Sequence, residues 1–322
     1  MHGDIRREEG RVLVTGGAGF IGSNLAEALV REGFYVRIVD NLSTGKLENL
    51  EDIKEQVEFL EGDIRDIEMA MRAAEGMDFV FHQAALPSVQ RSIEDPISSA
   101  KVNIEGTLNM LMAARDKGVG RLIYASSSSV YGDSPALPKE EGMPANPKSP
   151  YALSKFAGER YCQIFYEIYG LETVCLRYFN VFGPRQDHRS MYAAVIPIFV
   201  KNVLDDKPII IYGDGEQTRD FTYVDNAVEA NLLAMKSRGV AGKVFNVACG
   251  RQVSVLQLAL LIMEITGRRC EIRHAEGRKG EVRHSLADIT LAEKHLGYRP
   301  VVDVESGLMR YIGWFKEKGL RK

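Results

Sequence analysis

Short apolar segments alternate with helical patterns along the first 180 residues of the chain. Six segments rich in β-branched residues have the length of buried strands, and the sixth runs into a loop; they span 11–17, 35–40, 57–64, 78–85, 121–128 and 172–183. Apolar residues at helical spacing predict helices at 20–33, 66–75, 97–117 and 151–169. Because strands alternate with helices, the pattern predicts an α/β fold with a doubly wound parallel sheet and right-handed crossovers.

The pattern changes after about residue 180, where loops lengthen and the elements become irregular. One helix start is distinct, because Ser254 and Gln257 have the spacing of a capping box in front of the apolar run 254–265. We therefore divide the chain into three parts. A loose tail at 1–10 precedes a sheet domain at 11–180, and a smaller α/β lobe at 181–322 interleaves with that domain.

The composition is that of a soluble globular protein, with 322 residues of which 45% are hydrophobic and 26% charged. A net charge of −3, from 41 basic and 44 acidic residues, argues against nucleic-acid and polybasic membrane partners. No apolar run approaches the roughly 20 residues that span a bilayer, so we expect no membrane partner. The first ten residues are too polar for a signal peptide.

Four cysteines are scattered along the chain without a C-x-x-C pair. We expect them to be reduced and mostly buried, as in a cytoplasmic protein; they are Cys162, Cys175, Cys249 and Cys270.

A glycine-rich loop, "TGGAGFIG" (15–22), joins the first strand to the first helix and contains Gly16, Gly19 and Gly22 at three-residue spacing. Glycines allow a tight turn, a close approach to a pyrophosphate and close packing of helix against strand. The N-terminus of the helix presents backbone N–H groups to the phosphates. The loop therefore predicts a dinucleotide site, although a plain glycine turn has the same spacing.

Two carboxylates follow the next two strands. Asp40 ends the second strand, where a carboxylate binds the adenosine ribose hydroxyls and repels a 2′-phosphate. We therefore expect NAD rather than NADP as the cofactor. Asp63 follows the third strand and is a candidate for the adenine edge or for a simple loop cap.

The stretch "SPYALSK" (149–155) places Tyr151 and Lys155 four residues apart, on one face of a helix. The fifth strand ends in serines (126–129) at the sheet edge where a nicotinamide would lie. A tyrosine with a pKa of about 10 must lose about 3 units to act as a base near pH 7. The Lys155 ammonium and the positive nicotinamide can lower that pKa, and the lysine can also bind the nicotinamide ribose. Each residue alone also fits ordinary helix packing.

Seven motifs make the chain resemble the extended short-chain dehydrogenase/reductase family, and within it the nucleotide-sugar 4-epimerases. The resemblance covers residues 11–318 and rests on "TGGAGFIG", "DNLSTG", "HQAA", "SSSSVYGD", "PYALSK", "RYFNVFGPRQ" and "GDGEQTRDF". By position against "VYG", it implies Ser127 as the catalytic serine, Tyr151 as the catalytic tyrosine and Lys155 as the lysine. It also implies a Rossmann sheet with NAD as cofactor.

The resemblance implies two sets of ligand contacts. The expected contacts to NAD are Gly16, Gly19, Phe20, Ile21, Gly22, Asp40, Asn41, Ser43, Thr44, Gly45, Asp63, Ile64, Ala84, Ala85, Asn103, Tyr151, Lys155 and Tyr178. The expected contacts to a UDP-sugar are Pro87, Ser127, Ser128, Asn180, Ala194, Val195, Tyr212, Arg219, Val253, Arg278, Glu281 and Ser285. Arg219 is expected to hold the diphosphate, and Glu281 stands where relatives often have aspartate.

Two serines favour an epimerase over the other reactions of this family. Similar enzymes that dehydrate or decarboxylate the sugar carry acids just after the catalytic serine, at the positions of Ser128 and Ser129. A hydroxyl is a poor acid or base for proton chemistry at C5 or C6. The resemblance therefore implies removal of a hydride from C4 of the sugar and its return to the other face.

The exact sugar depends on two further positions. In similar enzymes one pocket position is a large tyrosine where only unacetylated sugars fit, and it falls on Ser285 here. Pro87 stands where glucose-specific relatives usually carry lysine. We expect UDP-N-acetylglucosamine, UDP-glucose or both as substrates. UDP-glucuronate 4-epimerase and a catalytically idle NAD-binding regulator are the alternatives.

Two further expectations concern histidines and assembly. His82 ends a strand and is expected to be structural, and neither it nor His188 belongs to a cluster with metal-ligand spacing, so no metal is expected. The helices at 97–117 and 151–169 carry apolar stripes, and similar enzymes often pair such helices, so we expect a homodimer. The stripes include Leu108, Leu111, Met112, Phe156, Cys162 and Phe165.

Overall fold

A computed structural model describes residues 10–187, 194–277 and 282–319. Within these residues the strands are β1 (Arg11–Thr15), β2 (Tyr35–Asp40), β3 (Val57–Glu61), β4 (Phe79–His82), β5 (Arg121–Ser127), β6 (Glu172–Tyr178), β7 (Val181–Phe182), β8 (Ile209–Tyr212), β9 (Thr218–Asp220), β10 (Thr222–Tyr223), β11 (Lys243–Val247), β12 (Gln252–Ser254) and β13 (Ile272–Ala275). The helices are α1 (Phe20–Arg31), α2 (Ile67–Ala74), α3 (Val89–Glu94), α4 (Pro96–Ala100), α5 (Gly106–Asp116), α6 (Pro150–Tyr169), α7 (Val195–Leu204), α8 (Val224–Lys236), α9 (Val255–Thr266), α10 (Thr290–Leu296) and α11 (Val304–Trp314).

Seven parallel strands form the central sheet, in the order β11-β6-β5-β4-β1-β2-β3. This order reverses beside β1, so the carboxyl ends of β1 and β4 flank a topological switch point, where open α/β sheets bind ligands. The predicted doubly wound parallel sheet is confirmed. All six predicted strands are present, although most are shorter than their apolar segments.

Successive residues of the strands pack into different cores, because side chains alternate between the faces of a sheet. Val12 and Val14 pack with α1, α8 and α10 on one face. Leu13 packs with α2, α5 and α6 on the other. Both faces are covered, which explains why these strands have continuous apolar sequences rather than alternating ones.

Several elements differ from the predicted pattern, among them helix α3 (Val89–Glu94), which was not predicted. The predicted helix 97–117 consists of α4, a π-helical turn at Lys101–Glu105 and α5. Strand β11 was not predicted, and it adds residues of the second lobe to the edge of the central sheet beside β6.

The second lobe has its own core. Helices α7, α9 and α11 pack around β8 there, with Phe199, Leu258 and Leu308 in the centre. The predicted capping box at the start of α9 is confirmed, since the Ser254 side chain accepts from Gln257 N and Ser254 N donates to the Gln257 side chain. Two-stranded ribbons pair β7 with β10, β9 with β12 and β8 with β13.

All four cysteines are free. Cys162 and Cys175 are buried, whereas Cys249 and Cys270 are partly exposed, so burial was predicted correctly for only two of them. Within the described ranges, no helix combines the length and apolar character needed to cross a membrane.

Candidate active site

A cleft of about 1000 Å³, partly open to solvent, lies at the carboxyl ends of β1, β2, β4 and β5. The glycine loop forms its floor. Gly16 has φ +67°, and a Cβ on it would lie 2.7 Å from Ala84 Cα. A Cβ on Gly22 would lie 2.2 Å from Gly16 O. The loop therefore needs glycine at both positions, because its backbone is folded against the start of α1 and the end of β4.

Asp40 is buried at the end of β2 and is oriented by the backbone on both sides. Its Oδ2 accepts from Ala18 N at 3.0 Å and its Oδ1 from Leu42 N at 2.8 Å. Burial raises the pKa of this carboxyl, and the two N–H donors oppose that rise. A Cβ on Gly45 would lie 2.8 Å from both carboxylate oxygens, so this glycine leaves room for the acid.

Asp63 is fixed beside Asp40 in the same wall. It accepts two bonds from the Arg65 guanidinium, at 3.0 and 2.7 Å, and one from Asn41 Nδ2 at 2.8 Å. The hydrogen bond from Arg65 is the main reason that the pKa of this carboxyl falls to about 2. Asp63 is therefore an ionised hydrogen-bond acceptor at the cleft at any ordinary pH.

Most residues predicted to contact NAD line the cleft. They are Gly16, Gly19, Phe20, Ile21, Gly22, Asp40, Asn41, Ser43, Thr44, Asp63, Ile64, Ala84, Ala85, Tyr151, Lys155 and Tyr178, and Pro87 from the sugar set joins them. Gly45 and Asn103 do not line it. Asn103 instead bonds to the backbone of Leu86 and to Ser154 Oγ.

Seven lining residues were not predicted: Val39, Gly62, Gln83, Leu86, Val102, Ala125 and Ser126. Gln83 and Ser126 lie within motifs that the sequence does display, "HQAA" and "SSSS", so a signal was present for them. The apolar members have no chemical signature that separates them from ordinary core residues.

Tyr151 and Lys155 enter the cleft from the first turns of α6. The helix begins here because the Ser149 side chain caps it by accepting from Ala152 N, and Pro150 occupies the first helical position. Lys155 is buried and its Nζ donates to Ala125 O at 2.8 Å. Burial lowers the pKa of this lysine to about 8.

Ser127, the last residue of β5, hydrogen-bonds to the Tyr151 hydroxyl. Ser127 Oγ also accepts from Ser129 N at 3.2 Å, so its own proton is free to be donated to the tyrosine oxygen. Such a bond favours the phenolate. The structure thus brings together the three residues expected to be catalytic.

The surroundings of Tyr151 shift its pKa in opposite directions. Burial raises the pKa, and the bond from Ser127 lowers it. The Lys155 ammonium is directed to Ala125 O, and its effect on the phenol, which we expect together with that of the positive nicotinamide, stays a prediction.

His82 is a structural residue, as expected. It is buried, with Nδ1 2.7 Å from Thr15 Oγ1 and Nε2 3.0 Å from Thr107 Oγ1. Burial lowers the pKa of its ring to about 3. No group of three or more His, Cys, Asp or Glu side chains in the described part of the chain could hold a metal ion.

Four residues expected to bind the sugar nucleotide meet at the ribbon of β9 and β12. Arg219 pairs with Val253 across the ribbon, Ser285 N donates to Thr218 O at 3.1 Å, and Asn180 Nδ2 donates to Asp220 O at 3.0 Å. Asn180 has φ +37°, a strained conformation that often marks a functional position.

The ribbon is held to the sheet domain by Asp220. This buried carboxylate accepts from Cys249 N and Gly250 N, both at 3.0 Å, and from Ala287 N at 3.2 Å. Burial raises its pKa to about 6, against the effect of these donors.

The remaining residues of the sugar set lie in several places. Ala194 and Val195 begin α7, Tyr212 ends β8, and Ser128 follows β5 in a short 3₁₀ turn. Arg278 and Glu281, like His188, lie outside the described residues.

The residues present fit NAD. The glycine loop and the N-terminus of α1 suit a pyrophosphate, and the Asp40 carboxyl group lies where its oxygens can accept from ribose hydroxyls. Lys155 and Tyr178 line the cleft at the nicotinamide end, on the side of β5 and β6, and β1 and β4 lie between them and Asp40 at the end of β2.

Comparisons with known proteins agree with this geometry. The family model described as "NAD dependent epimerase/dehydratase family" matches residues 12–248. A UDP-glucose 4-epimerase from Thermotoga maritima, solved with UDP-glucose, is 41% identical, with a TM-score of 0.91 over 95% of this chain and 99% of that one. A UDP-N-acetylglucosamine 4-epimerase from Methanobrevibacter ruminantium, solved with UDP-N-acetylmuramic acid, is 39% identical, with a TM-score of 0.93 over 97% of this chain and 99% of that one.

A third relative acts on another sugar. The UDP-glucuronate 4-epimerase of Thermodesulfobacterium geofontis is 35% identical over 96% of this chain and 97% of its own length. The fold and site define an NAD-dependent enzyme of the extended short-chain dehydrogenase/reductase type. The chain belongs to the NAD-dependent epimerase/dehydratase family, which confirms the predicted family, enzyme class and cofactor.

Proposed function

We propose that this protein is a UDP-sugar 4-epimerase that interconverts UDP-N-acetylglucosamine with UDP-N-acetylgalactosamine, UDP-glucose with UDP-galactose, or both. The observation that carries the proposal is that Tyr151, which is bonded to Ser127, and Lys155 line the same cleft, and that this cleft fits NAD. The similarity to enzymes of this name supports it.

The placement of carboxylates favours epimerisation over dehydration or decarboxylation. Among the described residues that line the cleft, the carboxylates are Asp40 and Asp63, which lie at the ends of β2 and β3. Tyr151 stands on the other side of the switch point. Ser128 and Ser129 follow the catalytic serine, so no acid stands there to move a proton at C5 or C6.

In the proposed reaction, bound NAD would supply the acceptor for the hydride that leaves C4 of the sugar, and its reduced form would supply the hydride that returns. Tyr151 removes the proton from the 4-hydroxyl as the hydride leaves and gives a proton back when the hydroxyl re-forms. Ser127 donates to the tyrosine oxygen, which stabilises its ionised form, and can bind the sugar oxygen. Lys155 holds the nicotinamide ribose while remaining hydrogen-bonded to Ala125 O.

Inversion at C4 requires the keto sugar to turn over between the two hydride transfers. We propose that the β9–β12 ribbon holds the UDP portion during this step, with Arg219 against the diphosphate and Asn180 and Val253 beside it. The sugar ring can then rotate about its diphosphate linkage while its nucleotide stays bound. Ser285, next to this ribbon, would leave room for an acetamido group.

UDP-glucuronate is the alternative substrate, because one 35% identical relative carries that activity in its name. That substrate needs a cationic partner for its C6 carboxylate. The decisive experiment incubates the purified protein with each UDP-sugar and follows the C4 epimer by proton NMR. Turnover of UDP-glucuronate alone would overturn the proposed substrates, and no turnover of any UDP-sugar would overturn the proposed activity.

We also propose a homodimer, on different residues from those first expected. Leu111, Cys162 and Phe165 are buried in the core of the protomer and are not available to a partner. Other apolar side chains of α6, such as Leu153 and Tyr169, are exposed. Light scattering at micromolar concentration tests the proposal, and the mass of a monomer would reject it.

A further inference from the structure

Lys155 lies against an aromatic ring on the side away from the cleft. Its Nζ stands 5.1 Å from the ring centroid of Tyr124, the residue of β5 that precedes the carbonyl to which the lysine donates. An aromatic face stabilises a desolvated ammonium more than it stabilises a solvent-exposed ammonium, because water no longer competes for the charge. The lysine is buried, so this contact acts at full strength.

Tyr124 is held in place by groups that contact its ring. It is 1% exposed, and the ring of His82 lies 5.8 Å away at an interplanar angle of 32°. On α6, Gly158 provides the space, since a Cβ on it would lie 2.2 Å from the Tyr124 hydroxyl and 2.4 Å from the adjoining ring carbon. Because position 158 is a glycine, α6 can pack directly against the Tyr124 ring.

The hydroxyl of Tyr124 is buried and has no hydrogen-bond partner among the described residues. A buried, unpaired hydroxyl normally destabilises a protein, so it does not explain why a tyrosine stands here. The feature of Tyr124 that can explain its presence is therefore the face of its aromatic ring.

We propose that Tyr124 is a positioning residue of the reaction, whose ring face holds the Lys155 ammonium in the place from which it serves the cofactor and Tyr151. The inference rests on the proposed catalytic role of Lys155. It does not depend on which UDP-sugar is the substrate.

Other groups act on the charge of Lys155 as well. Glu159 and Cys162 on α6 favour its charged form, although burial outweighs them, and the neutral His82 faces it from β4. All of these groups are retained in the variants compared below, which differ only at position 124.

The test compares Tyr124→Phe with Tyr124→Leu. The phenylalanine variant keeps the ring and loses only the unpaired hydroxyl, so its kcat should remain within about twofold of wild type. The leucine variant keeps an apolar side chain without a π face, and we expect kcat to fall about tenfold. The alkaline limb of its pH–rate profile should move about one unit lower, because the ammonium loses a stabilising contact.

A measurement on the protein without substrate separates this role from simple core packing. The pKa of the Lys155 amine, followed by NMR of isotope-labelled lysine, should be lower in Tyr124→Leu than in Tyr124→Phe. Should the leucine variant fail to fold, trifluorophenylalanine at position 124 is compared with phenylalanine. Fluorination weakens the negative ring face while nearly preserving the shape, so kcat and the lysine pKa should both fall.

The outcomes are distinct. The role of the ring face would be overturned if phenylalanine and trifluorophenylalanine at position 124 gave equal lysine pKa values and equal kcat. Equal losses of kcat in the phenylalanine and leucine variants would overturn it as well. A wild-type protein that turns over no UDP-sugar would refute the proposed function, while the lysine pKa comparison would still stand.

Discussion

The cofactor cleft and the β9–β12 ribbon are built in different ways. The cleft is formed by short contiguous segments that leave the carboxyl ends of parallel strands, with backbone N–H groups and glycines doing most of the shaping. The ribbon is formed by two strands that are more than thirty residues apart in sequence and are anchored by one buried carboxylate, Asp220. Local chemistry therefore determines the cleft, whereas long-range pairing determines the ribbon.

The two regions also differ in how far their polar groups are fixed before a ligand binds. In the cleft the polar groups are already fixed: Asp40 and Asp63 are oriented by hydrogen bonds, and Lys155 is bonded to a carbonyl. A pre-organised site loses little freedom when its ligand binds, which favours a cofactor that stays bound through many turnovers. We expect substitutions in the cleft to affect catalysis and cofactor retention, and substitutions at the ribbon to affect choice of sugar.

The largest effect is expected for Tyr151→Phe, which removes only the ionisable oxygen in the cleft. Epimerase activity should fall at least about 100-fold, the usual scale of acid–base catalysis. The melting temperature and the content of bound NAD should barely change, because the ring still fills its place. Turnover like that of wild type would show that another group moves the proton.

Ser285→Tyr tests the ribbon side. A ring in a space that accepts an acetamido group overpacks the pocket by about 1–3 kcal/mol, which corresponds to roughly 5- to 150-fold lower kcat/KM on UDP-N-acetylglucosamine. UDP-glucose lacks that group and should lose much less. An equal loss on both substrates, or a change in melting temperature alone, would mean that Ser285 only supports the chain beside Thr218.

Gly22→Ala tests how strictly the glycine loop is shaped. The new Cβ would meet Gly16 O at 2.2 Å, so the loop must shift away from the pyrophosphate position, and we expect about tenfold weaker retention of NAD. Gly313→Ala in α11 is the matched control, because a Cβ there meets nothing within 4 Å. Bound nucleotide is measured after gel filtration and denaturation. Equal NAD content in the two variants would contradict the role of the loop.

The smallest predicted effect is the dependence of folding stability on pH, which His82 and Asp220 change in opposite directions. The pKa of His82 is lowered from 6.5 to about 3, so the unfolded chain takes up the proton first and stability is lost as pH falls below 6.5. The pKa of Asp220 is raised from 3.8 to about 6, so the folded protein takes up the proton first and stability rises as pH falls from 6 towards 3.8. Each slope is at most about 1.4 kcal/mol per pH unit.

These two slopes have opposite signs in the same pH range, so wild type alone will not reveal them. With the histidine removed, only the Asp220 slope remains, so the melting temperature of His82→Gln should rise from pH 6.5 to pH 4.5. In Asp220→Asn the loss of stability at low pH should be larger than in wild type. If the melting temperature of a variant has the same pH dependence as that of wild type, the replaced group does not contribute to the pH dependence of stability.

The sequence was most informative where chemistry and backbone geometry coincide. The glycine spacing, Asp40 and the Tyr151–Lys155 pair could be found because each needs a particular residue type at a particular offset along one element. Strand β11 could not be found, because "KVFNV" is short and nothing local indicates that it joins a sheet whose neighbouring strand ends 65 residues earlier. The directions of Tyr124 and Lys155 were equally hidden, since they depend on which face of β5 meets α6.

Strand β11 also bears on how the chain reaches its native state during synthesis. The edge of β6 stays open until residues 243–247 have left the ribosome, and α8, which shares a core with α1, is completed only shortly before. An unpaired parallel strand edge is a template for pairing with other chains. We therefore expect the nascent chain to be most prone to aggregation between the emergence of β6 and that of β11, and truncations before residue 243 to need chaperones that full-length chains do not.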